Sequence, residues 1–264
     1  SGIIERYKMF ASLIVAPITV GFGGSVGLQG PAVSTGAALG SNVASMFHMN
    51  AKTRMLLIGC ATAGAMSSMF KAPVAAIVFA VEIFSLDLVF TSLVPLLLAS
   101  VAAVITSYFF RGTDVLFSFE LLDAWRVKDI IFYVFLGLAT GIASVYFSRM
   151  YFLITRFFGW FSNAYVKIGI AALAIGLMLY LFPPLYGEGY GLINNLLNGN
   201  TEAALSGIQY QIDFNNIWMV IVILLIIAVF KAIAMTTTFA AGGVGGIFIP
   251  TLFMGSALGN AVAK

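Results

Sequence analysis

The chain has 264 residues, of which 61% are hydrophobic and 9% charged, with a net charge of +3. A soluble domain covers itself with roughly 25% charged residues, so this composition excludes a water-soluble globule and points to a polytopic membrane protein. The small net charge is spread over loops, as flanks of membrane spans require, and implies neither a nucleic acid nor an acidic partner.

The charges fall in clumps (Glu5/Arg6/Lys8, Lys52/Arg54, Arg111 to Asp129, Arg149/Arg156). They leave apolar intervals such as Asp87 to Arg111 and Asp129 to Arg149, each near the ~20 residues that cross a bilayer. In chain order, a helix is predicted over 5–20. A glycine-rich break, GFGGSVGLQGP at 21–31, follows, then a helix over 31–47. Helices over 54–70 and 73–84 are joined by KAP, whose proline resets the backbone. Spans over 91–110 and 130–158 flank a polar loop at 111–129, and a further span over 166–181 ends at FPPLYGEGYG. A short piece over 192–197 precedes a polar connector at 198–216. A long apolar helix over 217–239 breaks at AAGGVGGIFIP and resumes to the end.

Many of these pieces fall short of a full crossing, which predicts broken or re-entrant helices buried within protein. Aromatic runs such as Tyr108 to Phe110 and Phe157 to Phe161 suit interfacial anchoring. Cys60 is the one cysteine, lies in an apolar stretch, and reads as packing. The opening SGIIERYKMF has no signal-peptide pattern, and the chain is expected to be a piece of a larger protein.

The two breaks repeat one another. Residues 23–44 laid over 242–263 without a gap pair Gly23 with Gly242, Gly24 with Gly243, Gly27 with Gly246 and Pro31 with Pro250. Gly36, Ala38, Leu39, Gly40, Val43 and Ala44 also meet identical residues at the same offset of 219. Two repeats with the same glycine-then-proline interruption are the sequence sign of a transporter-type fold with its binding site at the repeat interface.

Proline costs nothing in the first turn of a helix, so Pro31 and Pro250 mark helix starts, and the glycines before them let the backbone turn. A helix start leaves N–H groups beyond its own ladder and carries about half a positive charge. A small anion satisfies such donors without a cationic side chain, which would hold it too tightly to let it leave. Residues 27–31 and 246–250 are therefore read as anion-coordinating. Gly36/Gly40 and Gly255/Gly259, each spaced G-x-x-x-G, are read as helix packing positions.

GSVGLQGPAVSTGAALGS and GGIFIP resemble the two pore motifs of the CLC chloride channels and proton/chloride antiporters. FKAPVAAIVFAVEIF and PPLYGEGYG fit that family in order and spacing, so the resemblance covers essentially the whole chain. It implies an all-α, inverted-repeat CLC-type fold with broken and partly spanning helices. Residues 1–110 would form most of a first inverted half and 111–264 part of a second, with no soluble domain. It further implies chloride or a similar small anion as substrate, no cofactor, no metal and no catalytic residue. A homodimer with one pore per subunit is implied, embedded in a lipid bilayer and placed in the inner membrane of a bacterium. By resemblance, the amides of Ile247 and Phe248 hold a central anion, and those near Gln29 and Gly30 an outer one.

Three departures qualify the match. The family's gating glutamate falls at Gln29, a neutral group of nearly the same shape that carries no proton; it is either a natural variant or a replaced glutamate. The expectation is passive or weakly coupled chloride transport, the alternative being a proton-coupled antiporter whose native gate is glutamate. The basic residue that usually precedes the gate is Leu28. Near the inner end, Glu82 matches a common family glutamate, but Ile83 stands where many antiporters carry a proton-accepting one. Thirdly, the family's serine and tyrosine pore motifs would lie outside residues 1–264.

Glu82 is open to two readings, a carboxylate of an internal proton or anion pathway or a helix end facing water. Lys71 either satisfies carbonyls at a helix break or lines an anion vestibule. Lys231, within AVFKAIAM, pairs with a buried acceptor or snorkels, and His48 reads as interfacial. Two rivals from other classes are weaker. An intramembrane hydrolase would need Ser25 and His48 within hydrogen-bonding reach, across a whole intervening helix. A cation-coupled solute transporter would need polar ligands where the chain has Ile247, Phe248 and Ile249.

Overall fold

The structure, a computed structural model, describes residues 2–86, 89–118 and 126–264. The helices are α1 (Lys8–Gly21), α2 (Gln29–Met46), α3 (Ala51–Phe70), α4 (Pro73–Phe84), α5 (Phe90–Arg111) and α6 (Ile130–Gly159). They continue as α7 (Ala164–Leu181), α8 (Tyr190–Leu197), α9 (Thr201–Ala204), α10 (Ile217–Ala240) and α11 (Phe248–Ala263). Short 3-10 turns precede α6 and follow α7. Among the described residues there is no named strand, and the architecture is all-α as expected. Residues 119–125 of the expected polar loop at 111–129, and Asp87, lie outside the described residues.

Among the described residues, four helical segments are long and apolar enough to cross a bilayer: Phe90–Arg111, Val127–Gly159, Ala164–Leu181 and Ile217–Ala240. α1, α4 and α11 are apolar but shorter, which matches the prediction of partly spanning pieces. The starts of α3 and α7 lie earlier than predicted because asparagine caps extend them. Asn50 Oδ1 accepts from Thr53 N–H at 2.9 Å and starts α3 at Ala51 rather than at 54. Asn163 caps α7 in the same way and starts it at Ala164 rather than at 166; Asn216 caps α10 at its predicted start, and Asn200 caps the short α9 inside the connector at 198–216.

The chain divides into two compact units. One comprises Ser1–Pro17 and Gln29–Phe117, the other Ile18–Leu28 and Ser118–Lys264, so the first glycine break groups with the C-terminal part of the chain. In the first unit α3 packs against α2, α4 and α5 around Cys60, Ala63, Ala80 and Leu96. Lipid is as apolar as leucine, so close packing and buried hydrogen bonds must hold such helices together. Gly36 and Gly40 let α2 sit directly on the α3 backbone, where an added Cβ would lie 2.8 Å from the Ala61 carbonyl oxygen and 2.6 Å from that of Leu57. Ser67 Oγ donates to the Ser100 carbonyl and Ser107 Oγ to that of Ser68, both at 2.8 Å, each worth roughly 0.6 kcal/mol between membrane helices.

In the second unit α10 packs against α6, α7 and α11, and α11 also meets α6 and α8. Ile154, Phe158 and Ala171 form a small core between α6 and α7. Within α6, Ile154 and Phe158 are the buried residues, and the apolar remainder suits lipid. Among the described residues the packing expectation for Gly255 and Gly259 is not met, because an added Cβ at either position contacts nothing within 4 Å. The same G-x-x-x-G spacing therefore serves a close helix contact in α2 and none among the described residues in α11.

Candidate functional site: paired glycine breaks

Each break begins where a helix stops, α1 at Gly21 and α10 at Ala240. Gly23 and Gly242 then turn the chain with φ of +94° and +97°, a region that an L side chain rarely adopts. Matching hydrogen bonds close the turns, Gly24 N–H to the Thr19 carbonyl at 2.8 Å and Gly243 N–H to the Thr238 carbonyl at 2.9 Å. The two segments then pair. Gly27 N–H donates to the Gly246 carbonyl at 3.0 Å, and Gly246 N–H donates to the Gly27 carbonyl at 2.7 Å, an antiparallel bridge.

Cross-contacts repeat the symmetry. Ser25 N–H donates to Thr238 Oγ1 at 3.3 Å, and Val244 N–H donates to Thr19 Oγ1 at 3.2 Å. Each contact maps onto its counterpart at the offset of 219 residues, so the sequence repeat is also a repeat of backbone structure about a local two-fold at the bridge.

α2 begins at Gln29 and α11 at Phe248, again 219 apart, two residues before the prolines predicted to mark their starts. Proline sits comfortably anywhere in the first turn, where an N–H needs no intrahelical acceptor, so its position marks the turn and not the first residue. Neither helix has an acidic residue in its own first turn. Gln29 is 3% exposed and Gly30 is half-buried. Ile247 is exposed and Phe248 half-buried. Such helix starts suit an anionic ligand through their dipole and N–H groups.

A carboxylate already reaches the first break. Leu28 N–H donates to Glu188 Oε1 at 2.8 Å, and the Tyr190 hydroxyl donates to the same oxygen at 3.3 Å. The turn that carries Glu188 is fastened on several sides. Lys231, fully buried on α10, donates to the carbonyls of Gly187 at 2.8 Å and Leu185 at 3.3 Å, and its ammonium lies 4.7 Å from the Phe253 ring centre. Ser25 Oγ donates to the Leu185 carbonyl at 2.7 Å, and the Tyr186 hydroxyl to that of Gly21 at 2.6 Å. Gly189, with φ of +81°, lets the turn lie on Phe253, whose ring would be 2.5 Å from an added Cβ. Glu188 is also the acid whose charge acts on the Lys231 ammonium.

Ser25 is fully buried and its hydroxyl is committed to a carbonyl, so it serves the turn and not a nucleophilic role. Lys71 caps α3 with φ of +53°; its ammonium donates to the Gly112 carbonyl at 2.5 Å and to that of Asp114, beside the Tyr108 ring. Glu82 and Ile83 are exposed on α4, and His48 is exposed after α2. Among the described residues, no three His, Cys, Asp or Glu side chains gather as a metal ion would require. Sequence reasoning passed over Glu188, although an acid set between two glycines in so apolar a chain is a functional signal by itself.

The family model described as voltage gated chloride channel matches residues 3–264. A chloride channel protein described as ClcB-like, from Ralstonia nicotianae, is 28% identical over 98% of this chain and 57% of its own length. The H(+)/Cl(-) exchange transporter ClcA of Vibrio cholerae is 28% identical over 92% of this chain and 50% of its own. The chain thus spans about half the length of these curated relatives. The crystal structure of a slow cyanobacterial Cl-/H+ antiporter superposes with a TM-score of 0.78 at 21% identity, over 97% of this chain and 57% of that one. With its apolar spans, paired breaks and family match in agreement, this multi-pass integral membrane chain belongs to the voltage gated chloride channel, or CLC, family.

Proposed function

We propose that the chain forms the anion-conducting part of a chloride transport protein, in which main-chain amides at helix starts replace the water around the ion. The mutual Gly27–Gly246 pairing carries this reading, because it ties together two breaks that lead into helices with no acid in their own first turn. In this reading the amides of Ile247 and Phe248 serve a central anion site and those of Gln29 and Gly30 an outer one, with Gln29 at the gate position. Binding by backbone dipoles needs no cofactor and lets the ion leave quickly.

A neutral Gln29 neither competes with the anion nor carries a proton, which supports passive or weakly coupled flux. A second reading, proton-coupled exchange, is favoured by the exchanger and antiporter among its relatives. Glu82, Ile83 and Lys71 would then mark an inner pathway. The full protein is proposed to work as a homodimer with one pore per subunit, residues 1–110 and 111–264 belonging to opposite halves of each. A bacterial inner membrane suits the bacterial relatives.

The test is flux in liposomes bearing the full-length protein, with chloride and proton electrodes read together. Chloride should move without stoichiometric protons. Proton uptake driven by a chloride gradient in fixed ratio would overturn the passive reading. Anomalous scattering from bromide beside Phe248 and Gly30 would locate the ions, and its absence from both places would reject those sites.

A further inference from the structure

We infer that Glu188 is a tethered anion of the pore: its carboxylate takes the Leu28 amide that a passing anion would otherwise use, and gives it up on protonation. The inference rests on the anion-transport reading above and names a gate outside the predicted one. Leu28 is the residue immediately before α2, so its N–H belongs to the donors that the first break offers. A carboxylate oxygen at 2.8 Å from a backbone nitrogen makes a charge-assisted hydrogen bond, about twice as strong as a neutral one. α2 brings no acid of its own to this position. The negative charge arrives from a residue 160 positions away in the chain.

The turn carrying Glu188 is built to hold it there. Lys231 and Ser25 fix the carbonyls at 185 and 187, Tyr186 fastens the turn to Gly21, and Gly189 rests on Phe253. Among the titratable and charged groups, the Tyr190 hydroxyl on α8 donates to Glu188 and the Lys231 ammonium on α10 lies within reach of its charge. Lys231 holds no anion directly, since its ammonium is bonded to carbonyls, and it acts as a positioning residue. The chemistry is a competition for one donor. A charged carboxylate excludes chloride from the Leu28 amide, and a carboxyl that has taken a proton from water is neutral, binds the N–H more weakly and yields to the ion.

The experiment measures chloride efflux from liposomes carrying the full-length protein as pH is stepped from about 8 to about 4.5, for the wild type, Glu188→Gln and Glu188→Asp. Wild-type flux should rise several-fold as pH falls. Glu188→Gln should start high and stay flat, and should bind chloride several-fold more tightly at neutral pH by calorimetry. Glu188→Asp keeps the charge but shortens the reach, so its flux at neutral pH should exceed that of the wild type while the dependence on pH remains. Flux in all three with one shared pH profile overturns this inference and leaves the transport reading standing. Failure of all three to pass chloride at any pH overturns both. Should Glu188→Gln not assemble, Glu188→Asp decides alone, and neutral-pH flux equal to wild type counts against the tethered anion.

Discussion

Gly27 and Gly246 each donate their backbone N–H to the other's carbonyl, at 3.0 and 2.7 Å, and thereby join two chain segments 219 residues apart. The exchange consumes these two amides and aims the residues that follow into α2 and α11. Any donor left for an anion must come after the glycines, which is why the geometry of the breaks bears directly on transport.

The near-symmetry of the breaks makes a paired prediction. A Cβ at Gly24 would lie 2.6 Å from the Thr19 carbonyl oxygen and 3.1 Å from Thr238 Cγ2. At Gly243 it would lie 2.8 Å from the Thr238 carbonyl oxygen and 3.1 Å from Thr19 Cγ2. Backbone on one side and a β-branched side chain on the other cannot both retreat. Gly24→Ala and Gly243→Ala should each cost about 1–3 kcal/mol. Thermal unfolding in detergent should show similar losses for the two; a loss at one site alone would contradict the repeat.

The two G-x-x-x-G pairs should separate cleanly. Gly40→Ala drives a methyl into the α3 backbone, 2.6 Å from the Leu57 carbonyl oxygen and 2.9 Å from the Ile58 nitrogen, and should be strongly destabilising. Gly259→Ala meets open space inside a helix and should be neutral or stabilising by up to about 1 kcal/mol, the ordinary propensity gain. Melting temperatures of the two variants measure the contrast. A large loss at Gly259 would mean that α11 has a neighbour at this face in the assembled protein.

Lys231→Met removes the donor to the Gly187 carbonyl and the opposing charge that acts on Glu188. Without that donor the turn loses a tie to α10, and the carboxylate is held less firmly against the Leu28 amide. Chloride flux at neutral pH should therefore rise above that of the wild type. An unfulfilled buried carbonyl costs about 1–3 kcal/mol, partly offset by relief from burying an ammonium, so the protein should still fold. Neutral-pH flux equal to wild type in Lys231→Met would count against Lys231 as a positioning residue.

Gln29→Glu restores a titratable group at the position that the family resemblance assigns to the gate. In the Glu188→Gln background, where the other carboxylate is gone, this substitution should lower flux at neutral pH and restore its rise on acidification. Liposome flux across the same pH range reads the effect. A flat profile in the double variant would count against Gln29 as the gate position.

Much of the fold could be read from local chemistry. Hydropathy marked the spans because the bilayer fixes their length, and the ends of α6 and α10 came within a residue because charges and glycines stop helices locally. The starts of α3 and α7, and α9 altogether, escaped a reading based on apolar periodicity, because Asn50, Asn163 and Asn200 act through one side-chain hydrogen bond each. Gly36 and Gly255 carry the same motif, yet they differ in whether another helix lies opposite, which no local pattern encodes.

The sequence by itself determined the membrane class, the repeated breaks and the first turns of the two helices that follow them, since glycine, proline and hydropathy act within a few residues. The tertiary structure alone decided that the breaks pair through Gly27 and Gly246, that Ser25 serves a buried carbonyl, and that Glu188 meets the Leu28 amide. Those contacts join residues separated by 160 or more positions. A hydrogen bond forms where donor and acceptor meet in space, and the chain must fold before that meeting exists.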